Sequence, residues 1–83
     1  MAADTSIEAY HKIAFKEEQR TRILALLRKG PASMHAIERR TGIKRSSICG
    51  RMGELREMGI IRKAYKDKDA ETGMTVWLWE VVP

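Results

Sequence analysis

The stretch Ala36-Ile37-Glu38-Arg39-Arg40-Thr41-Gly42-Ile43-Lys44-Arg45-Ser46-Ser47-Ile48 contains a helix end, a sharp turn and a helix start, and its reading decides the fold. Just upstream, Ser33 carries the hydroxyl of an N-cap and opens a short helix through about Arg40, with Met34 and Ile37 turned inward. Thr41-Gly42 breaks that helix, because Gly42 is free to take positive φ. After Ile43 a third helix is predicted to begin near Lys44–Ser46 and run to Met58. Its apolar stripe is Ile48, Met52 and Leu55, at i, i+4 and i+7, and Gly59 caps it.

Working upstream, Ile23, Leu24, Leu26 and Leu27 give an amphipathic helix over Glu17–Lys29, with Arg20, Arg22 and Arg28 expected outside. Arg28 and Lys29 suit the negative end of its dipole, and Gly30-Pro31 terminates it. Thr5 or Ser6 is placed to cap a separate short helical turn carrying Ile7, Tyr10, Ile13 and Ala14, while Met1 to Asp4 are expected to fray. Downstream the period changes: Ile60 to Tyr65 reads as a strand, Lys66 to Gly73 as a polar tip, and Met74 to Val82 as a second strand. With no repeat, low-complexity tract or linker, residues 1–83 are expected to form one α+β domain. It divides into an extension (1–16), a helical core (17–59, with the helix pair at 33–58) and a hairpin (60–82).

Length and composition narrow the possibilities. An 83-residue chain leaves little room for an enclosed catalytic pocket, and its single Cys49 forms neither an intramolecular disulfide nor a zinc cluster. His11 and His35 lack partners at ligand spacing and read as surface histidines. No nucleotide-binding loop, metalloprotease motif or nucleophile elbow is present, so no enzymatic activity, cofactor or small-molecule substrate is expected. No apolar run approaches the ~18 residues of a membrane span, and a cytoplasmic setting is expected.

The net charge of +5 is unevenly distributed. Residues 20–63 carry +9, and the two ends together −4. Such segregation creates a local positive field that attracts polyanions better than a mixed surface does. The plain alternative is a solvated basic face that serves solubility.

The element order, together with two runs of residues, resembles the winged helix-turn-helix superfamily. The opening stretch is similar to its I-A-x-x-T-G-I-x-x-S-S/T-V signature, and Arg51-Met52-Gly53-Glu54-Leu55-Arg56-Glu57-Met58-Gly59-Ile60-Ile61 to its L-x-E-L-x-x-x-G-L-I run. Ala9-Tyr10 and Glu71-Thr72-Gly73 are similar to small winged-helix proteins common in bacteriophage genomes. The resemblance implies a three-helix core followed by a β-hairpin wing. It also implies double-stranded DNA as partner, with the third helix in the major groove and the second across the backbone. A transcriptional regulator or accessory factor of phage or mobile-element type follows, in a bacterial or phage-infected host cytoplasm.

Carried over residue by residue, the resemblance places Lys44 and Arg45 at the start of the third helix, against phosphate or guanine. Ser46 and Ser47 fall where hydroxyls bond phosphate or a base edge, Ser46 being equally suited to a cap. Arg39 and Arg40 suit backbone contact, and Glu38 is expected to pair with a neighbouring arginine. The outward arc of the third helix collects Ser46, Cys49, Gly50, Gly53 and Glu57, with Arg51 and Arg56 flanking it.

Gly50 stands where many family members carry a long side chain, which leaves Arg51 as the expected base reader. Two mid-helix glycines, each costing about 1 kcal/mol against Ala, suggest close approach of DNA or a partner; drift on a solvent face is the alternative. The wing tip sums to −1, so Arg62 and Lys63 on the first strand are the better-placed cations. Trp77 and Trp79 share a face, one of them expected to close the core.

A protein-interaction module on the same scaffold, binding or inhibiting a partner protein, is the competing function, and a homodimer is compatible with either. A related family that binds left-handed duplexes fits poorly, because its third-helix Asn and Tyr correspond here to Cys49 and Gly53.

Overall fold

A computed structural model describes residues 2–83, with side chains from Ala9 onward. Three helices, α1 (Ala2–Leu27), α2 (Met34–Thr41) and α3 (Arg45–Glu57), are followed by strands β1 (Ile61–Lys68) and β2 (Thr75–Val81), paired antiparallel. The fold is therefore α+β, with the helices preceding a two-stranded hairpin. No helix among the described residues is long and apolar enough to cross a membrane.

The expected break between an N-terminal turn and the first core helix does not occur. Thr5 and Ser6 lie inside α1, which runs through them as one 26-residue helix. The run Lys16-Glu17-Glu18-Gln19-Arg20, where the extension was expected to meet the core helix, is made of strong helix formers, so it joins the two into one helix. Of the expected fraying, Met1 lies outside the described residues, whereas Ala2 to Asp4 belong to α1. Ile7 was expected on an apolar face, and its side chain also lies outside the described set.

Among the described side chains of α1, burial is confined to its C-terminal third. Gln19, Ile23 and Leu27 are buried, whereas residues 9–18 are exposed throughout, including Tyr10 (70%), Ile13 (57%) and Phe15 (59%). The projection stretches the molecule to 51 Å and its radius of gyration to 14.7 Å, against about 12 Å for a compact chain of this length.

The predicted inward residues of α2 and α3 form the core, except Met34, which is half-buried against it. Ile37, Ile48, Met52 and Leu55 are all buried at 1% exposure or less, against Ile23 and Ile61. Ser33 caps α2 by accepting a hydrogen bond from the Ala36 N–H at 3.1 Å. Gly42 sits at φ 73°, its N–H donating to the Glu38 carbonyl. After α3, Gly59 at φ 75° lets the Gly59 N–H reach the Arg56 carbonyl and the Ile60 N–H reach the Leu55 carbonyl. That pair of bonds turns the chain straight from α3 into β1.

The strands differ from expectation in length. β1 extends to Lys68, so the tip spans residues 69–74 rather than 66–73, and Met74 is an exposed tip residue. Asp69 organises the tip, accepting from the Thr72 hydroxyl at 2.9 Å and the Thr72 N–H at 3.3 Å. These bonds, the Thr72 hydroxyl foremost, hold its carboxyl below the usual range.

Two features lay beyond the sequence reading. Ala32 forms an isolated antiparallel bridge to Trp79, with reciprocal N–H···O bonds of 3.0 and 2.8 Å, which ties the α1–α2 connection to the hairpin. The pairing register also shifts between Lys63 and Tyr65, leaving Ala64 as a bulged residue without a partner.

Candidate nucleic-acid interface

Six of the ten residues proposed from sequence gather at the turn between α2 and α3. Arg39, Arg40, Lys44, Arg45 and Ser46 are exposed, and Ser47 is half-buried. The N-cap of α3 is Lys44, which makes no side-chain capping bond, so Ser46 is not the cap. The first turn of α3 therefore lacks a side-chain cap from Lys44 and begins beside two exposed cations, an arrangement that favours an anion. The two serines diverge. Ser46 lies on the outward arc, whereas Ser47 lines a recess against α1 with Lys44, Phe15 and Arg22.

Two of the arginines at this turn are already engaged. Glu38 pairs with Arg45 at 3.2 Å, as expected of Glu38. Arg39 pairs with Glu71, which also meets His35 Nε2 at 2.8 Å. Glu71 belongs to the hairpin tip, so the tip is clamped back onto α2. Arg40 and Lys44 have no carboxylate partner among the described residues.

The outward arc of α3 is as predicted: Ser46, Cys49, Gly50, Gly53 and Glu57 are all exposed. A Cβ added at Gly50 or Gly53 would meet nothing within 4 Å. The bare surface is not needed for packing within this chain.

Arg51 is placed elsewhere. Its side chain is only 12% exposed and binds Glu54 through two nitrogens, Nε at 2.6 Å and Nη2 at 3.0 Å. A third nitrogen donates to Gln19 Oε1 at 3.2 Å, and Arg20, also expected outside, donates to Glu54 Oε1 at 2.7 Å. The hydrogen bond from Arg51, ahead of that from Arg20, holds the Glu54 carboxyl below the ordinary glutamate range. The expected base reader is thus a strut between α3 and α1. Helical spacing carried the signal: Arg51 lies three residues after Ile48 and four before Leu55, and Arg20 three before Ile23, all core positions.

The hairpin separates Arg62 from Lys63, which the sequence grouped together. Arg62 pairs with Glu80 at 2.8 Å on one face, and Lys63 lies on the other opposite Trp79. Because Ala64 is bulged out, Lys66 falls opposite Trp77 on the same face as Lys63. Lys63 Nζ lies 4.9 Å from the Trp77 ring centroid and Lys66 Nζ 5.2 Å, while Arg56 approaches the Trp79 ring at 5.7 Å. As expected, one tryptophan closes the core: Trp79 is 7% exposed and Trp77 39%.

This lysine–tryptophan face and the outward arc of α3 bound a groove of about 540 Å³. Its cations are Arg45, Arg56 and Lys63, its apolar wall includes Met34 and Trp77, and no carboxylate lines it. None of the acidic residues that made the wing look unsuited to phosphate lines the groove, but one reaches its edge. Asp67 is paired opposite Val76, Asp69 is bound in the tip, and Glu71 holds the groove-lining His35. Compared with known proteins, the chain matches no family model and no curated protein.

Proposed function

We propose that this chain is a small winged-helix protein that binds double-stranded DNA, with α3 in the major groove and no catalytic role. The observation that carries this reading is the exposed leading end of α3. Lys44 and Arg45 open an N-terminus with no side-chain cap, Arg40 stands exposed near the end of α2, and the helix face beyond is bare at Gly50 and Gly53. Cations and free N–H groups there would neutralise phosphate and displace its counterions, while Ser46 and the bare arc approach the base edges. Lys63 extends the basic rim to one side, and Arg39 would do so on the other once released from Glu71. In this reading the protein acts by occupying a site, as a regulator or accessory factor.

The test is titration of the full chain with a random-sequence duplex at low and moderate salt. Association that weakens steeply as salt rises, with a log–log slope of about −3 or steeper, is expected. No association at low salt overturns the reading.

A protein-interaction module is the second reading, favoured by Tyr10, Ile13 and Phe15 exposed on the projecting half of α1. Burial of that face would give an association that resists salt and makes the mass measured by light scattering depend on concentration.

A further inference from the structure

We infer that the groove between α3 and the hairpin receives an unpaired nucleobase, stacked on Trp77, with the adjoining phosphates held by Lys63, Lys66 and Arg56. The inference rests on the DNA-binding reading and narrows its ligand to DNA with a locally opened or extrahelical nucleotide.

Charge complementarity selects an anion. No carboxylate lines the groove, and of its cations Arg56 and Lys63 have no carboxylate partner among the described residues while Arg45 is shared with Glu38; Lys66 stands over its rim on Trp77. Shape selects a planar partner. The half-exposed indole of Trp77 and the side-chain-free surface of Gly53 both line the groove, and a Cβ at Gly53 would meet nothing within 4 Å. A flat ring bordered by the open space over Gly53 suits a flat ring. A branched aliphatic side chain would find little matching relief there.

The lysines reinforce this choice. Both ammonium groups rest about one ring-contact distance from Trp77, at 4.9 and 5.2 Å, on a surface whose π-electrons attract cations. An arriving base replaces them on the indole, and its own phosphates receive them. The contact given up is returned as an ion pair, and the stacking is gained. Base–aromatic stacking next to a cationic track is the general physics of strand capture. The Ala64 bulge makes the site possible. A regular alternation would put Lys66 on the opposite face from Lys63, away from the tryptophans.

The experiment compares three duplexes of one sequence by competition anisotropy with the full chain. One is fully paired, one carries a single extrahelical nucleotide, and one carries an abasic residue at that position. The extrahelical duplex is expected to bind roughly tenfold tighter than the other two. Trp77→Ala should abolish that preference while leaving the paired duplex within about threefold, and Trp77→Phe should restore part of it. Circular dichroism verifies that both variants fold.

Equal binding of the extrahelical and abasic duplexes overturns the inference and leaves the DNA-binding reading intact. So does an equal loss over all three duplexes in Trp77→Ala. Binding of the extrahelical duplex without binding of the paired one upholds the base site and overturns the major-groove reading. Displacement of all three by an alternating Glu–Phe peptide, equally in the wild type and Trp77→Ala, assigns the groove to acidic protein segments and overturns the inference.

Discussion

Two groups of arginines and lysines, close in sequence, do different work. Arg20 and Arg51 lie inside a network that also holds Gln19 and Glu54, joining α1 to α3. Arg40, Lys44 and Arg45 stand exposed at the turn between α2 and α3, and Lys63 and Lys66 on the groove side of the hairpin. The first group spends its hydrogen-bonding capacity within the protein and tightens the fold. The second offers charge to a ligand, directly from Arg40, Lys44, Lys63 and Lys66, and from Arg45 by exchange of its exposed pairing with Glu38. A cation's position relative to the apolar stripe, rather than local charge density, separates the two roles.

The largest expected effect tests the exposed group. Replacing Arg40, Lys44 and Arg45 together by Ala should weaken binding to random duplex by roughly 100-fold or more near 0.1 M salt, the consequence of losing about three phosphate contacts. The melting temperature should move little, because surface substitutions usually change stability by less than about 0.5 kcal/mol. A large loss of stability with unchanged affinity would break the comparison.

Arg51→Ala should do the reverse. Leaving Glu54 with one partner and Gln19 without its donor should cost about 1–2 kcal/mol, or roughly 4–16 °C in melting temperature. Duplex affinity, measured well below that temperature, should stay within about threefold.

Acid sharpens the same contrast. The folded state depresses the Glu54 pKa, so the stability from this network is fully present above the ordinary glutamate range and is lost as pH falls through the lower folded value. Denaturant titrations from pH 6 down to pH 3 should show that loss, and Glu54→Gln should flatten it.

Smaller effects are expected where the two regions approach each other. Glu71→Gln should release Arg39 and the hairpin tip from each other and raise duplex affinity by about two- to fivefold, read by anisotropy at low salt. Gly50→Ala should stabilise the fold by up to about 1 kcal/mol, since its added methyl meets open space. A melting curve paired with a binding isotherm is decisive there. Gained stability with lost affinity means that DNA presses against Gly50.

The helices and turns were legible because their signals are local. Ser33, Gly42 and Gly59 each declare a helix end, and Ile48, Met52 and Leu55 declare one face. The continuity of α1 was hidden because hydrophobic periodicity lapses over Lys16–Arg20, although propensity does not. The Ala32–Trp79 bridge and the Ala64 bulge were illegible for a different reason. Each depends on a register between segments distant in sequence, and nothing in Ala32 or Ala64 announces a partner or the lack of one. For the site, the corner at Arg39–Ser46 followed from the helix boundaries. The pairing of Glu71 with α2 required a tertiary fold, and so did the sorting of wing charges to opposite faces.

The separation of structural from ligand-facing cations is tested most directly by the salt dependence of duplex binding. Wild type, Arg51→Ala and the Arg40/Lys44/Arg45 triple alanine variant are measured side by side from low to moderate salt. The log–log slope should become shallower by roughly three in the triple variant and stay unchanged in Arg51→Ala. A slope that shallows in Arg51→Ala and holds in the triple variant would contradict it.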